Sequence, residues 1–183
     1  MRIDQVKSLP QSYVMNVQRV ELLNATLVPD YYKCDTFRIS KINRTTYGFN
    51  LVGDLYAAID EHSFFEVDSY HKRSMDQPYS KSIFHWERMS FPERIKSSYI
   101  LSKSVINKFQ DYSNLPPLKS QDEPYIIPKG HYWVKDFVVD TSGLPPYIPY
   151  GYYRLDMIFS HVNPDLTVAI MRLYIEIDPV RPF

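Results

Sequence analysis

The chain has 183 residues, of which 44% are hydrophobic, and its 21 Lys and Arg balance its 21 Asp and Glu to zero net charge. The zero net charge argues against nucleic acid as a partner, because phosphate binding needs a positive excess that releases counterions. No run of 18 apolar residues is present that could span a bilayer, and the 16 Tyr, 10 Phe and 14 Pro favour β-strands separated by turns.

Cysteine content and the N-terminus leave the cellular compartment open. Cys34 is the only cysteine, so no internal disulfide can form, and residues 1–7 carry charge where a signal peptide would be apolar. These two features favour the cytosol. Two glycosylation acceptors, at Asn24 and Asn43, favour secretion instead.

The first half of the chain shows mainly strand patterns. Residues 14–22 and a segment around residues 37–39 are predicted strands. Residues 47–59 alternate apolar and polar side chains with period 2, and Gly53 in their middle predicts a bulge or a bend. Residues 64–71 are predicted to return beside this strand as the second arm of a hairpin.

A helix is predicted between the two halves of the chain. Residues 90–93 (Ser-Phe-Pro-Glu) form a capping-box pattern, in which the Ser hydroxyl would accept a hydrogen bond from the Glu amide. Apolar residues then recur at helical spacing, so the helix is expected over residues 91–109. Pro116 and Pro117 cannot continue it.

Two Pro-rich segments and one strand follow the helix. Residues 115–129 and 142–151 are predicted to be ordered surface loops, because prolines interrupt both of them. Residues 131–140 lie between the two loops. They are rich in Val, Phe, Tyr and Trp, which predicts a strand.

The last part of the chain completes the predicted sheets. Residues 153–160 and 169–177 alternate apolar and polar side chains on either side of a turn at residues 163–165. The prediction is therefore a mainly β fold in one domain over residues 1–183. It is an antiparallel β-cup or β-sandwich of about six to eight strands, with one α-helix between its halves.

Patterns typical of catalysis or metal binding are weak in this sequence. No Gly-x-Ser-x-Gly motif and no Gly-rich phosphate loop is present, and Cys34 would need a nearby base to act as a nucleophile. The chain is predicted not to be an enzyme and to need no cofactor or metal, while a hydrolase assembled by spatial proximity stays open. The histidines that show no zinc-binding spacing are His62, His71, His85, His131 and His161.

The apolar stripes of the predicted strands allow two interpretations. They either pack a solid sandwich core, or they stand apart and enclose an apolar cavity for a ligand. Tyr147, Tyr150 and Tyr152 are candidates for the rim of such a cavity, since a tyrosine combines an apolar face with a hydroxyl. The candidate lining residues are Phe49, Leu51, Leu55, Trp133, Phe137, Tyr153, Leu155, Met157, Phe159, Met171 and Leu173.

Five short motifs share their order and spacing with those of a known family. They are residues 43–47 (Asn-Arg-Thr-Thr-Tyr), 113–116 (Ser-Asn-Leu-Pro), 128–132 (Pro-Lys-Gly-His-Tyr), 144–145 (Leu-Pro) and 151–154 (Gly-Tyr-Tyr-Arg). In these motifs the chain resembles the insect chemosensory-B proteins, which are relatives of the ganglioside activator protein within the lipid-recognition superfamily. With matching strands beyond them, the resemblance extends to nearly the whole chain.

The resemblance implies a secreted, extracellular and non-enzymatic β-cup that holds a lipid or another apolar small molecule, in the setting of contact chemosensation. A membrane surface or a receptor would be a further partner. The chain departs from the family in its cysteines, because Glu123 precedes Pro124 where the family carries a disulfide cysteine, and Ser97 and Ser98 stand where another is expected. Each missing disulfide forgoes about 2–4 kcal/mol. The alternative function is a solid-cored extracellular module that binds another protein.

Overall fold

Two antiparallel β-sheets form most of the structure, a computed structural model that describes residues 13–23, 29–43, 46–98, 108–138, 147–161 and 166–180. The five-stranded sheet has the order β1-β8-β7-β4-β5, and the three-stranded sheet has the order β2-β3-β6. Both sheets confirm the predicted antiparallel, mainly β fold. The elements are β1 (Tyr13–Leu23), β2 (Tyr32–Lys41), β3 (Tyr47–Leu55), β4 (Ser63–Lys72), β5 (Ser80–Ser90), α1 (Phe91–Ser97), β6 (Gly130–Phe137), β7 (Gly151–His161) and β8 (Leu166–Pro179).

The β7–β8 pair at the centre of the larger sheet follows the predicted alternation. Leu155 lies opposite Leu173, and Met157 lies opposite Met171. Because side chains alternate between the two faces of a strand, this register places both apolar stripes on one face of the sheet. The turn predicted at residues 163–165 lies outside the described residues.

β3 and β4 lie in different sheets, so the hairpin predicted from residues 47–59 and 64–71 is wrong. β3 ends at Leu55 and pairs with β2 and β6, whereas β4 pairs with β5 and β7. In the connection between them, Ile59 exchanges backbone hydrogen bonds of 2.9 and 3.0 Å with Ile127. The period-2 pattern defines the two faces of each strand, but long-range packing selects its neighbours.

The irregularity predicted at Gly53 lies in the neighbouring strand. The register of β2 against β3 shifts between Cys34 and Thr36, at the position opposite Gly53. A Cβ atom on Gly53 would collide with the carbonyl oxygen of Lys33. Glycine at this position therefore permits the bulged strand β2 to approach β3 closely.

α1 begins at the predicted residue, but its first turn differs from the expected capping box. The Ser90 hydroxyl donates a hydrogen bond of 2.6 Å to the Glu93 carboxylate and makes no bond to a helix amide. Ser90 is also the last residue of β5, so strand geometry sets the direction of its side chain. α1 ends at Ser97, residues 99–107 of the predicted helix lie outside the described residues, and residues 108–110 form another helical turn. None of the helices in the described ranges is long and apolar enough to cross a membrane.

β6 ends at Phe137, earlier than the predicted boundary at residue 140. Asp136 adopts a left-handed backbone conformation with φ of 53°, which Asp tolerates better than most residues. Its amide donates a hydrogen bond of 3.2 Å to the Asn50 side chain. A Cβ atom on Gly48 would lie 2.8 Å from the Asp136 Cα atom, so glycine provides the space for this turn of the backbone. Residues 139–140 lie outside the described residues.

Buried apolar side chains form two clusters at different places in the fold. The first, here called the Tyr153 cluster, joins the starts of β1 and β7 to the end of β8. The second, here called the loop cluster, lies in the Pro-rich segment that follows α1. The Tyr153 cluster consists of Tyr13, Tyr153, Ile175 and Ile177, and the loop cluster consists of Leu118, Tyr125 and Ile127.

Candidate functional site

A cavity of about 470 Å³ lies between the two sheets, at the end of β7 that is farther from the Tyr153 cluster. Its volume falls within the range of about 300–1,000 Å³ that is usual for small-molecule sites. Side chains from both sheets, from α1 and from the following loop form its wall. The aliphatic, Met and Phe side chains of the wall are Leu22, Leu51, Leu55, Ala57, Ala58, Ile59, Phe65, Phe91, Ile95, Phe109, Leu115, Ile127, Val134, Phe159, Val168, Ala169 and Met171.

Small residues explain why this space is not filled. Three of the four alanines of the chain, Ala57, Ala58 and Ala169, line the cavity together with Gly53. Ala169 lies opposite Phe159 in the β7–β8 register, at a position where a larger side chain would project into the space. A methyl group or a hydrogen atom leaves that volume empty, because the surrounding sheets are held apart by the larger side chains beside them.

α1 and the Pro-rich segment 115–129 cover the cavity. Phe91 and Ile95, one helical turn apart, contribute the α1 side, and the Phe91 ring lies 6.1 Å from the Tyr125 ring. The Tyr125 hydroxyl donates a hydrogen bond of 2.8 Å to the Pro116 carbonyl, which joins the two ends of the loop. The bond also gives the Pro116 carbonyl, which lies in a loop outside the sheets, a hydrogen-bond donor.

Four of the eleven predicted lining residues reach the cavity. Leu51 and Leu55 do so from β3, Phe159 from β7 and Met171 from β8. The sequence pattern assigned the correct faces to these strands. It could not show where along each strand the cavity begins, because period 2 carries no information about the distance between two sheets.

The other seven predicted lining residues lie elsewhere in the structure. Tyr153 belongs to the Tyr153 cluster, and Leu155 and Leu173 pack against it, so large side chains fill this end of the face of the five-stranded sheet. Phe137 stacks on Phe109 with a centroid distance of 3.8 Å. The remaining three, outside the cavity wall and half-buried in their strands, are Phe49, Trp133 and Met157.

The predicted rim tyrosines lie at the wrong end of β7 for a role at this cavity. Tyr147 and Tyr150 precede β7, are 66% and 42% exposed, and contact each other with a ring distance of 6.4 Å. Tyr152 forms a hydrogen bond with Glu176, which raises the pKa of the tyrosine. The cavity lies beside His161, at the other end of the strand. The first Pro-rich segment, residues 115–129, covers the site, and residues 142–146 of the second lie outside the described residues.

The glycosylation acceptors stay predictions. Asn43 is exposed and its side-chain oxygen accepts a hydrogen bond of 2.9 Å from the Thr46 amide. Asn24 lies outside the described residues.

Burial raises the pKa values of four polar side chains in the wall, which are Tyr32, Cys34, Tyr125 and Tyr132. Burial raises the pKa of Cys34, whose thiol donates a bond of 3.3 Å to the Thr36 carbonyl, so it is a protonated and poor nucleophile at neutral pH. Burial also raises the pKa of Tyr32 to about 12. The Tyr32 hydroxyl is shielded from solvent and from the cavity space, and it has no hydrogen-bond partner among the described residues.

The charged residues of the wall have their charges engaged away from the cavity. The Lys33 ammonium lies 2.7 Å from the Asp35 carboxylate, and the Asp54 carboxylate lies 2.8 Å from the His131 ring. Within the described ranges, no three His, Cys, Asp or Glu side chains are grouped in a way that could hold a metal ion. The arrangement therefore offers contact surface for an apolar molecule and little for polar chemistry.

Sequence reasoning missed most of the wall, including the cover of the cavity, Phe65 of β4 and the alanines that line the space. Leu115, Tyr125 and Ile127 stand among prolines and show no periodicity, so no strand or helix pattern could identify them. Three of the four alanines of the chain line the cavity, so the positions of these small residues were a usable signal in the sequence. Phe65 follows Phe64 on β4. The predicted hairpin paired this strand with the wrong neighbour, since β4 pairs with β5 and β7.

Comparison with known proteins gives a match over part of the chain. Residues 65–155 match a sequence family described as "Protein of unknown function (DUF1091)". The matched stretch runs from β4 into β7 and so includes α1, the loop that covers the cavity and β6. A search of curated proteins finds no match to this chain. The description of the matched family assigns no activity, so the geometry of the cavity carries the functional argument.

Proposed function

We propose that this protein is a non-enzymatic binding protein that holds a lipid or another apolar small molecule in the cavity between its two sheets. The observation that carries the proposal is a space of about 470 Å³ whose wall consists mainly of aliphatic and aromatic side chains. An empty apolar space costs stability, because the atoms that line it lack partners on one side. A ligand with apolar surface supplies those partners.

The energetics of such a site favour hydrocarbon chains. Burial of one methylene group contributes about 0.8 kcal/mol, so a chain of fourteen carbons contributes roughly 11 kcal/mol before the cost of ordering it. Ordering and loss of free motion reduce that figure by several kcal/mol. The remainder corresponds to useful affinity without any hydrogen bond to the ligand.

Two observations support binding without catalysis. The only cysteine, Cys34, holds its proton because burial raises its pKa, and its thiol is directed to a backbone carbonyl. Among the described residues, none of the histidines shares a group with two acids or cysteines that could bind a metal. Labelling of the purified protein by a fluorophosphonate would contradict this part of the proposal, since only an activated nucleophile reacts with that reagent.

The resemblance to the insect chemosensory-B proteins extends the proposal to a secreted protein that acts in contact chemosensation. The two acceptors at Asn24 and Asn43 agree with passage through the secretory pathway. Expression in insect cells followed by mass spectrometry tests this extension. A glycan on the exposed Asn43 is the expected result, and a bare Asn43 on protein that stays inside the cell would contradict secretion.

Native mass spectrometry and a fluorescent probe test the binding function itself. We expect purified protein to carry a co-purified lipid, and N-phenyl-1-naphthylamine to bind with enhanced fluorescence once that lipid is removed. Ala58→Trp places a large ring in the cavity wall and should abolish probe binding. Val14→Trp, at an exposed position of β1, is the matched control and should leave binding unchanged. Failure of folded wild-type protein to bind any apolar probe would overturn the proposal.

A second candidate function, binding of another protein, rests on edge strand β5. Ile83 is 91% exposed and Phe84 is 54% exposed, which is unusual for large apolar side chains on a strand. The register of β5 against β4 shifts twice, and the Ser69 hydroxyl on β4 donates to the Phe84 carbonyl. These shifts present Ile83 and Phe84 at the sheet edge, where a partner could cover them.

Paired substitutions separate the two functions. Ile83→Ser with Phe84→Ser should abolish capture of a receptor or another partner while leaving probe binding unchanged, because neither residue lines the cavity. Ala58→Trp should abolish probe binding and leave partner binding unchanged. A loss of partner binding in Ala58→Trp alone would count against β5 as the interaction surface.

A further inference from the structure

The outer edges of the two sheets are protected to different degrees. β6 lies at one edge of the three-stranded sheet, and residues 112–114 cover it. There the Lys135 amide donates a hydrogen bond of 2.8 Å to the Tyr112 carbonyl. β5 lies at one edge of the five-stranded sheet, and among the described residues no strand pairs with its outer side. An uncovered strand edge is a template for pairing with another chain.

Side chains along the exposed part of β5 alternate between the two faces of the sheet. The Trp86 ring lies 6.1 Å from the ring of Phe65, on the face that borders the cavity. The Lys81 ammonium lies 2.8 Å from the carboxylate of Asp68, which is three positions after Phe65 on the regular strand β4 and so points to the outer face. Residues 82, 84 and 86 therefore share the cavity face, and residues 81, 83, 85 and 87 share the outer face.

An irregularity in β5 keeps this alternation and directs backbone groups to the open edge. Three residues stand between Lys81 and His85 on β5 where one stands opposite them on β4, so the two extra residues leave the faces unchanged. The Phe84 carbonyl accepts a hydrogen bond from the Ser69 hydroxyl of β4. Because the backbone groups of successive residues point to opposite sides of a strand, those of Ile83 and His85 point to the open edge. The Ile83 carbonyl lies 3.4 Å from a ring nitrogen of His85 there.

Large apolar side chains stand at this edge on both faces. Ile83, on the outer face, is 91% exposed. Phe84 and Trp86, on the cavity face, are 54% and 45% exposed, because β5 packs mainly on β4 and α1 and the smaller sheet leaves these rings uncovered. Exposed apolar groups that are clustered in this way mark interaction sites.

The charges of β5 are complementary to those of a second β5 strand. When two identical strands pair antiparallel about a two-fold axis, positions at equal distances on either side of the axis face each other. With the axis at Phe84, Lys81 of each copy lies opposite Glu87 of the other, and both residues are exposed on the outer face. With the axis at Ile83, Lys81 would instead lie opposite His85. Opposite charges that face each other stabilise a strand pair, so they favour the axis at Phe84.

We propose that β5 pairs antiparallel with β5 of a second copy of this chain, with the two-fold axis at Phe84. This pairing supplies the partner for the second candidate function, on which it rests, and it does not depend on a ligand in the cavity. Ile83 of each copy exchanges backbone hydrogen bonds with His85 of the other. The Phe84 rings meet at the axis, and the Trp86 rings extend the apolar strip on either side of them. The two five-stranded sheets thereby form one continuous sheet.

Analytical ultracentrifugation of the wild-type protein tests this pairing. We expect a species of twice the chain mass, whose fraction rises with protein concentration and is the same before and after delipidation. Phe84→Ser removes the ring at the axis and should leave a monomer. Val14→Ser, at an exposed position of β1, is the matched control and should keep the dimer. Folded wild-type protein that is monomeric at about 100 μM would overturn the proposal, because any dimer would then be weaker than this concentration.

An exchange of charges tests the register. Glu87→Lys brings two lysines together on each side of the axis, and Lys81→Glu brings two glutamates together, so each should weaken the dimer about ten-fold or more. An equimolar mixture of the two variants should form the dimer again, since every contact across the axis then joins a lysine to a glutamate. A mixture that associates no better than either variant alone would contradict the register.

Controls for the charge exchange come from the Pro-rich loop. Lys119→Glu and Glu123→Lys make the same changes of charge at side chains that are 72% and 62% exposed, and both should keep the wild-type dimer. Circular dichroism checks that every variant is folded, because Lys81→Glu also loses its contact with Asp68. Phe84→Ser and Glu87→Lys leave that contact intact, so they test the pairing without it.

The possible results distinguish this pairing from the other functions. A wild-type dimer that binds no apolar probe would support the pairing and overturn the cavity function. A wild-type monomer that binds the fluorophore would overturn the pairing while the cavity function stands. Capture of a different protein by a wild-type monomer, lost in Ile83→Ser with Phe84→Ser, would also overturn the pairing and leave β5 as a surface for that protein.

Discussion

The two ends of the β-sandwich share the same strands but differ in how they are filled. At the start of β7, Tyr153 packs with Tyr13, Ile175 and Ile177 in a closed cluster. At the end of the same strand, Phe159 borders a space of about 470 Å³. β8 likewise contributes Ile175 to the solid end and Ala169 to the hollow end.

The difference between these ends indicates that side-chain volume contributes to the cavity. Both ends lie on one apolar face of a continuous sheet, whose β7–β8 register shifts only after Phe159. At the first end, Tyr13 and Met15 of β1 pack beside the large side chains of β7 and β8. At the second end, alanines and the Pro-rich loop 115–129 border the space. A site of this kind can arise in a sandwich fold through a few large-to-small changes, although each cavity costs stability.

A matched pair of truncations on β8 gives the largest expected effects. Ile175→Ala at the solid end should lower the free energy of unfolding by about 3–4 kcal/mol, because it opens a new void among tightly packed neighbours. Met171→Ala at the hollow end should cost about 1–2 kcal/mol, since that side chain already borders empty space. Urea unfolding of the two delipidated variants measures both values. Equal losses would show that the cavity collapses in solution.

Alkaline unfolding compares the tyrosines of the two ends. Burial raises the pKa of Tyr125 to about 12, and it also raises the pKa of Tyr153. A raised pKa means that the unfolded chain ionises first, so stability is fully present below about pH 10 and is lost as the pH rises toward the folded pKa. The free energy of unfolding should fall by about 1.4 kcal/mol per pH unit for each tyrosine that ionises only on unfolding.

Single Tyr-to-Phe substitutions identify which tyrosine causes this loss of stability at high pH. Tyr125→Phe and Tyr153→Phe should each flatten the fall of the urea midpoint between pH 10 and pH 12, and each also loses a hydrogen bond to a proline carbonyl. Tyr112→Phe, at an exposed position, is the control and should keep the wild-type slope. An unchanged slope in both variants would mean that other groups cause alkaline unfolding.

The smallest expected effect is a gain in stability at the hollow end. Tyr32→Phe removes a hydroxyl that is buried without a partner among the described residues, so the free energy of unfolding should rise by about 1 kcal/mol. Tyr153→Phe at the solid end should lower it, since that hydroxyl donates to the Pro149 carbonyl over 2.8 Å. Thermal and urea unfolding at pH 7 measure both changes. A loss of stability in Tyr32→Phe would reveal a partner for this hydroxyl in solution.

The strands and their faces followed from the sequence because each depends on local alternation. The pattern at residues 153–160 and 169–177 placed Leu155, Met157, Met171 and Leu173 on one face, and the structure has them there. The start of α1 at Phe91 followed from Ser90 and Pro92 for the same reason. The sheet partners of β3 and β4 did not follow, because alternation repeats in every strand and does not identify neighbours.

The amino-acid sequence by itself determined that this chain forms antiparallel sheets with apolar faces, and it supplied the small residues that leave a space. Only the tertiary structure decided where that space lies. Ala57, Ala58 and Ala169 meet across two sheets, and the loop residues Tyr125 and Ile127 close over them. The distance between two sheets at any point depends on the volumes of side chains from segments far apart in the chain. No local sequence pattern contains this information.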